Sequence, residues 1–355
     1  MRVEAIQKLR NLDRPVLITG HTGFKGTWLT LLLESQGIEV AGISLEPEPN
    51  SLYSKLERTD RIHEKFIDIR DFNALNSEIA SLKPSMVFHL AAQPLVLQSY
   101  SDPRGTFETN VMGTVNILES ISTLSEQCLV VAITTDKVYE NLESGRKFQE
   151  NDKLQGKDPY SASKVGTESA VTAWKNIFNL NSLHKICSAR AGNVIGGGDF
   201  AKDRLIPDII RGIQENSIVE IRNPKSSRPW QHVLDPLAGY VYAAGALLNN
   251  VDLGSINFGP TEKSLSVERV IDIAKEEFSN LLEILTTGDG SELQLESGLL
   301  DLDSTLARTT LGWEPKWSQE KAIKLTFSWW KSVLEGSSSP SEACQRDISR
   351  FVDEL

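Results

Sequence analysis

The sequence predicts an α/β fold: a doubly wound parallel sheet with a smaller mixed α/β lobe attached. Three observations carry this. Short apolar runs alternate with stretches of helical periodicity through the first half of the chain, the pattern of strand–helix units feeding one parallel sheet. A glycine-rich segment, Gly20-His21-Thr22-Gly23-Phe24-Lys25-Gly26, falls between the first apolar run and the first helical stretch. Beyond Gly196-Gly197-Gly198-Asp199 the alternation breaks into shorter, turn-rich pieces, which suits a substrate lobe.

In order, Pro15–Thr19 reads as the first strand. Thr27–Gln36 reads as a helix with Trp28, Leu29, Leu32 and Leu33 on its apolar side and Gly37 as its stop. Strand, glycine turn, helix is the context in which such glycines let a pyrophosphate approach the backbone, with free N–H groups at the helix start. The spacing is GxxGxxG, a variant of the dinucleotide fingerprint. Ile38–Leu45 is the second strand, and Glu46 is the nearest acid for an adenosine ribose. His63–Ile69 is the third strand, Phe72–Leu82 a helix and Met86–Leu90 the fourth strand, ending in Ala91-Ala92-Gln93. Asn110–Leu124 reads as a helix and Cys128–Thr135 as a buried strand. After a polar loop, Pro159–Leu180 is a helix and Lys185–Val194 the sixth strand. In the irregular half, Arg204–Gln214, Pro236–Asn249, Ser266–Phe278 and Ser318–Leu334 read as helices, and Ile218–Arg222 and Ser255–Phe258 as strands. Gly336-Ser337-Ser338-Ser339-Pro340 reads as a flexible linker to a short terminal helix. The implied division is 12–186 with a returning segment near 230–260 for the Rossmann-type domain, 187–229 and 261–335 for the lobe, and 336–355 for the tail.

Composition narrows the function. The 355 residues carry a formal net charge of -11, with no Lys/Arg-rich run. A nucleic-acid partner is not expected. No apolar stretch is long enough to span a bilayer, and the first residues lack a signal-peptide core. The three cysteines, Cys128, Cys187 and Cys344, lack metal-ligand spacing. No metal is expected, and the cytoplasm is the predicted compartment.

Chemistry concentrates at strand ends. Thr134-Thr135-Asp136-Lys137 closes the fifth strand, and Tyr160 and Lys164 are four apart on the following helix, hence on one face. A Lys ammonium near a phenol lowers its pKa, and a Thr hydroxyl can bond the same oxygen. Such a phenol can take a proton from an alcohol. The turn at Gly20, Asp68-Ile69, Leu90-Ala91-Ala92 and Thr135-Asp136 all fall at carboxyl ends of strands, where parallel sheets bind ligands. Asn110 stands near the start of a flanking helix.

These residues resemble the extended short-chain dehydrogenase/reductase family, and within it the sugar-nucleotide 4,6-dehydratases. The glycine turn and Tyr160-Ser161-Ala162-Ser163-Lys164 mark the broad family. Thr134 to Asn141, Ala189 to Asp199 and Arg228-Pro229-Trp230-Gln231-His232-Val233 are more specific. The resemblance implies tightly held NAD, bound by Gly20, Thr22, Gly23, Phe24, Lys25, Gly26, Asp68, Ile69, Leu90, Ala91, Ala92, Asn110, Tyr160 and Lys164. It implies oxidation at C4 of a nucleotide-linked glucose, loss of water across C5–C6 and return of the hydride to C6. Tyr160, Lys164 and Thr135 would serve the oxidation, and Asp136 would protonate the leaving 6-hydroxyl. Most of these dehydratases have Glu after the Asp. Lys137 in that place is similar to the branch acting on CDP-glucose; it is either the C5 base or a partner for Asp136. Arg228 and Asn193 would hold the substrate diphosphate, with Gln93, Arg204 and Arg222 as further substrate contacts. Trp230 could stack on a ring or pack into the lobe, and His232 reads as structural. Family members commonly pair through two long helices, here Asn110–Leu124 and Pro159–Leu180, which implies a homodimer or higher homo-oligomer. An epimerase of the same family would use the same Tyr and Lys but needs no acid at C6. A dinucleotide-binding regulator would need neither.

Overall fold

The structure is a computed structural model describing residues 3–142, 145–181, 183–221, 223–278, 284–286 and 300–355. Seven strands, β1 (Val16–Thr19), β2 (Val40–Ser44), β3 (His63–Phe66), β4 (Met86–His89), β5 (Leu129–Ile133), β6 (Lys185–Ala191) and β7 (Ser255–Phe258), form one sheet. Its order is β7-β6-β5-β4-β1-β2-β3, with every pairing parallel. The order reverses between β1 and β4, so a crevice opens there at the carboxyl ends.

The uniformly apolar strands follow from burial on both faces. Val16, Ile18, Phe88 and Val131 enter one core, and their neighbours Leu17, Val87 and Val130 the other. The first core is covered by α1 (Val3–Arg10), α2 (Phe24–Ser35) and α7 (Leu234–Leu248). The second is covered by α3 (Phe72–Leu82), α4 (Gly113–Ser122) and α5 (Pro159–Asn181). Helix α6 (Leu205–Glu215) belongs to the irregular half, with α8 (Val267–Phe278) and α9 (Gln319–Leu334). α7 is buried almost all round, which explains its lack of a polar face.

Three segments differ from the sequence expectation. The path into α4 starts well before Asn110, with short helices Val96–Ser101 and Pro103–Phe107 and a π-type turn Glu108–Met112. Asp102 caps the second of these, accepting from the Gly105 N–H at 2.9 Å. At the N-terminus, α1 buries Ala5, Ile6 and Leu9 against α7. The expected flexible linker is a closed turn, in which the N–H groups of Ser337 and Ser338 donate to the Ser332 carbonyl at 3.0 and 3.1 Å. It leads into α10 (Pro340–Asp353), begun by a Ser339–Glu342 capping box and burying Ala343, Cys344, Ile348 and Phe351. All three cysteines are free and buried. No described helix is long and apolar enough to cross a membrane.

Candidate active site

The glycine turn lies at the sheet's reversal. Gly20 leaves β1 with φ +74°, and a Cβ there would lie 2.8 Å from the Ala91 nitrogen at the end of β4. A Cβ on Gly26 would lie 2.1 Å from the Gly20 carbonyl oxygen. Only glycine lets α2 start this close beneath the turn. No side chain caps α2, so its first N–H groups and dipole face the crevice, as a pyrophosphate requires. The residues present therefore fit a bound dinucleotide. His89 backs the turn, with ring nitrogens 2.7 Å from Thr19 Oγ1 and 3.0 Å from Thr114 Oγ1, and burial lowers its pKa to about 3. Thr22 is bonded to Ser44 at the end of β2, 2.7 Å between hydroxyl oxygens.

On the adenosine side, Glu46 is exposed. The acid that reaches the turn is Glu64 on β3. It meets His21 Nε2 at 2.7 Å, accepts from the Tyr53 phenol at 2.5 Å and from the Asp60 N–H at 2.7 Å. Burial works to raise its pKa, and these bonds outweigh it, leaving the pKa lowered. Asp68 is gripped by Arg70 at 2.6 and 3.0 Å, which lowers its pKa. Ile69 is buried, and Leu90, Ala91 and Ala92 are half-buried along the crevice.

Beyond β5 the chain turns sharply at Asp136–Val138. The Thr135 hydroxyl donates to Asp136 Oδ1 at 3.0 Å and accepts from the Lys137 N–H at 3.3 Å, and it is close enough to the Tyr160 phenol to work to lower its pKa. Asp136 is buried against the chain at Gly192, where a Cβ would come within 2.7 Å of its carboxylate. Burial raises the Asp136 pKa, against the Lys137 charge, the Thr135 bond and the Lys25 charge. Tyr160 is buried, its N–H donating to Ser99 Oγ at 3.1 Å. Burial pushes the phenol up to about 12, while Thr135 and Arg204 work to lower it.

The Lys164 ammonium donates to the Ile133 carbonyl at 3.2 Å, and burial lowers its pKa to about 8. Arg204, which pairs with Asp199 at 2.9 Å, is a cation that works to lower the Tyr160 pKa. Helix spacing brought Tyr160 and Lys164 to one site; the strand-end carbonyl took the ammonium. The Lys25 side chain, expected to bind the cofactor, shares the cluster: burial lowers its pKa to about 8, and Arg204, Lys164 and Asp136 act on it.

Two predicted contact residues are engaged within the protein. Asn110 Nδ2 donates to the Gln93 carbonyl at 3.1 Å and to Ser163 Oγ at 2.8 Å, and its Oδ1 accepts the Gln93 N–H at 2.8 Å. The Gln93 amide turns back to Thr106 Oγ1 at 2.9 Å. Asn110 ties the β4 loop to α5, and the Gln93 side chain ties it to the helix Pro103–Phe107. On the lobe side, Arg228 is half-buried and donates to the Ser227 carbonyl at 3.1 Å. The Asn193 carbonyl accepts the Gln231 N–H at 3.0 Å, and its side chain is half-buried. Trp230 is packed, its indole N–H donating to the Leu265 carbonyl at 3.1 Å. His232 is buried edge-on between Trp28 and Trp317. Arg222 lies outside the described residues.

A phenol, a carboxyl and two lysines gathered beside a dinucleotide cradle define an NAD-dependent enzyme built on a Rossmann-type sheet. The chain belongs to the GDP-mannose 4,6 dehydratase family, whose profile matches residues 17–326. It is 42% identical over 350 residues to the CDP-glucose 4,6-dehydratase of Salmonella typhimurium, covering 95% of this chain and 96% of that one. Among solved structures, a UDP-glucose-4-epimerase from Stenotrophomonas maltophila with bound NAD is similar in fold, with TM-score 0.78, 19% identity and coverage of 92% and 100%. A dTDP-glucose 4,6-dehydratase of Bacillus anthracis in complex with NAD has TM-score 0.73, 20% identity and coverage of 91% and 98%.

Proposed function

We propose that this protein converts CDP-D-glucose to CDP-4-keto-6-deoxy-D-glucose, as a hydro-lyase that keeps NAD bound through each cycle. The observation that carries this is the buried carboxyl of Asp136, bonded to Thr135, whose hydroxyl also acts on the phenol of Tyr160. A 4-epimerase needs the phenol but has no leaving hydroxyl to protonate. The name of the Salmonella relative supports the nucleotide and the sugar.

Bound NAD supplies a reversible two-electron oxidant. Tyr160 takes the proton from the sugar 4-hydroxyl, and a cation beside it, such as Arg204, favours the phenolate it needs. The resulting 4-ketone acidifies the C5 hydrogen, and Lys137 in its neutral amine form, half-buried one residue beyond the acid, takes that proton and becomes the ammonium. Asp136, whose protonated form burial favours, protonates the departing 6-hydroxyl. Arg228, Asn193 and Arg204 hold the diphosphate in the lobe that follows β6, since residues 187–191, expected in the lobe, belong to the sheet.

The test is to incubate the protein with CDP-glucose and catalytic NAD and to follow the alkali-shifted ultraviolet absorbance of a 4-keto-6-deoxy sugar. Signal only with another nucleotide sugar would overturn the base assignment. No signal with any would overturn the reading. Exposed Leu97, Tyr100, Phe107 and Met112, on segments packed beside α5, support pairing with a second copy, and sedimentation should find a dimer or larger. The free cysteines support a reducing, cytoplasmic setting.

A further inference from the structure

Behind the turn bearing Asp136 lies a buried ion pair with no part in the proton transfers. Glu168 on α5 and Arg190 on β6 have side chains each 3% exposed. Nε meets Oε1 and one terminal nitrogen meets Oε2, both at 2.9 Å. Two ions this deep are tolerated only when fully bonded. Glu168 also accepts from Thr134 Oγ1 at 2.5 Å and Ser188 Oγ at 2.8 Å. Arg190 also donates to the Tyr139 phenol at 2.8 Å and the Glu150 carbonyl at 3.0 Å.

The placement of two of these partners matters. Thr134 comes just before the segment Thr135-Asp136-Lys137-Val138, and Tyr139 just after it. The two ends of the acid-bearing turn are therefore tied to opposite members of one ion pair. The Tyr139 end is reinforced: its phenol donates to Asn257 Oδ1 at 2.7 Å, and its ring stacks on Phe148 at 5.0 Å. Glu168 itself lies one helical turn beyond Lys164 and two beyond Tyr160. Tyr160, by contrast, sits on α5 itself and needs no tie through the pair.

We infer that Glu168 and Arg190 are positioning residues for the elimination half of the reaction, holding the Asp136–Lys137 turn in register with the helix that carries Tyr160. This rests on the dehydratase reading above. Oxidation at C4 depends on α5 and the cofactor cradle, with Thr135, at the very start of the turn beside the Tyr160 phenol, as the turn's contribution to it. Loss of water depends in addition on where the turn stands, and a displacement near 1 Å can cost on the order of 100-fold in rate. A merely structural pair would lower stability and depress both halves together.

The test uses the full-length enzyme with Tyr139→Phe and Thr134→Val, each of which removes one tie and leaves the ion pair. Rapid mixing with CDP-glucose and NAD should give a rate of reduced-nicotinamide formation that falls, through Thr135, by no more than about 3-fold. Formation of the 4-keto-6-deoxy sugar should fall about 10-fold or more. Amides of 136–138 should exchange faster in both variants, with α5 amides unchanged. Thr134→Ser, which keeps the hydroxyl, should restore both readouts. Equal loss in both half-reactions, unchanged product formation, or unfolding of both variants would overturn the inference. If wild type forms neither reduced nicotinamide nor product, the dehydratase reading fails instead, and the exchange readout still tests the ties.

Discussion

Asp235 offers a pH-dependent test of how the lobe is held to the sheet. It lies at the start of α7, three residues after His232. Its Oδ1 accepts the Lys316 N–H at 2.6 Å, and its main-chain carbonyl accepts the Trp313 indole N–H at 3.0 Å. Among the described residues Oδ2 has no partner. Burial pushes its pKa up to about 7, against the Lys316 and Trp317 N–H bonds and the nearby lysines. In an unfolded chain the group titrates near 4. Between these values the folded state holds a proton that the unfolded state has lost. This contribution to stability is therefore complete below about pH 4, falls as pH rises and levels off above about pH 7. At about 1.4 kcal/mol per pH unit the span amounts to about 4 kcal/mol. Asp235→Asn stays neutral and keeps the acceptor for Lys316. Urea unfolding of both proteins at a series of pH values isolates the effect, because other titrations cancel in the difference. The variant should gain about 4 kcal/mol relative to wild type between pH 4 and pH 7. A difference that stays level, or runs the other way, would refute the reasoning.

Tyr160→Phe should lower turnover by about 10²- to 10⁴-fold while NAD titration gives an affinity close to wild type; a fully active variant would remove the phenol from the chemistry. Gly26→Ala puts a methyl group 2.1 Å from the Gly20 carbonyl, so α2 must withdraw. Calorimetry should find NAD affinity weakened by about 10- to 100-fold, from about 1–3 kcal/mol of overpacking. Arg190→Met leaves Glu168 charged and buried, and should cost about 3–5 kcal/mol in denaturant unfolding. Adding Glu168→Gln should recover part of that loss, and a double variant less stable than the single would count against the pair.

The sheet was legible because its strands are short, apolar throughout and bounded by polar residues. Met86–His89 and Leu129–Ile133 fall inside the expected strands, and Phe72–Leu82 has the expected helix ends. The helices before α4 were not legible, since five- and six-residue pieces carry too little periodicity. They form because Asp102 caps one and α5 packs on both. The terminal helix carried its signal in Ser339-Pro340-Ser341-Glu342, but the serines before it read equally well as a linker. In the site, Tyr160, Lys164, Asp136 and the glycines could be found from local spacing. Glu64 could not: it reaches His21 only because β2 pairs with β3. Glu168 stood one helical turn past Lys164 in the sequence, yet its importance depends on Arg190 and Tyr139, which only the fold brings to it.

The same burial acts on the acid and the base, and it serves them differently. It favours the protonated form of Asp136 and the protonated form of Tyr160 alike. For Asp136, in the role of acid proposed for it, that is the direction needed. For Tyr160 it is the resting state, and proton removal from a sugar requires added positive charge close to the phenol. Arg204 is in place for this but is shared with Asp199. On the proposed roles, burial therefore favours the acid at once and the base only when positive charge is supplied beside the phenol. An enzyme that returns its cofactor to the starting state every cycle benefits from that order, because oxidation without a committed substrate would leave the cofactor reduced.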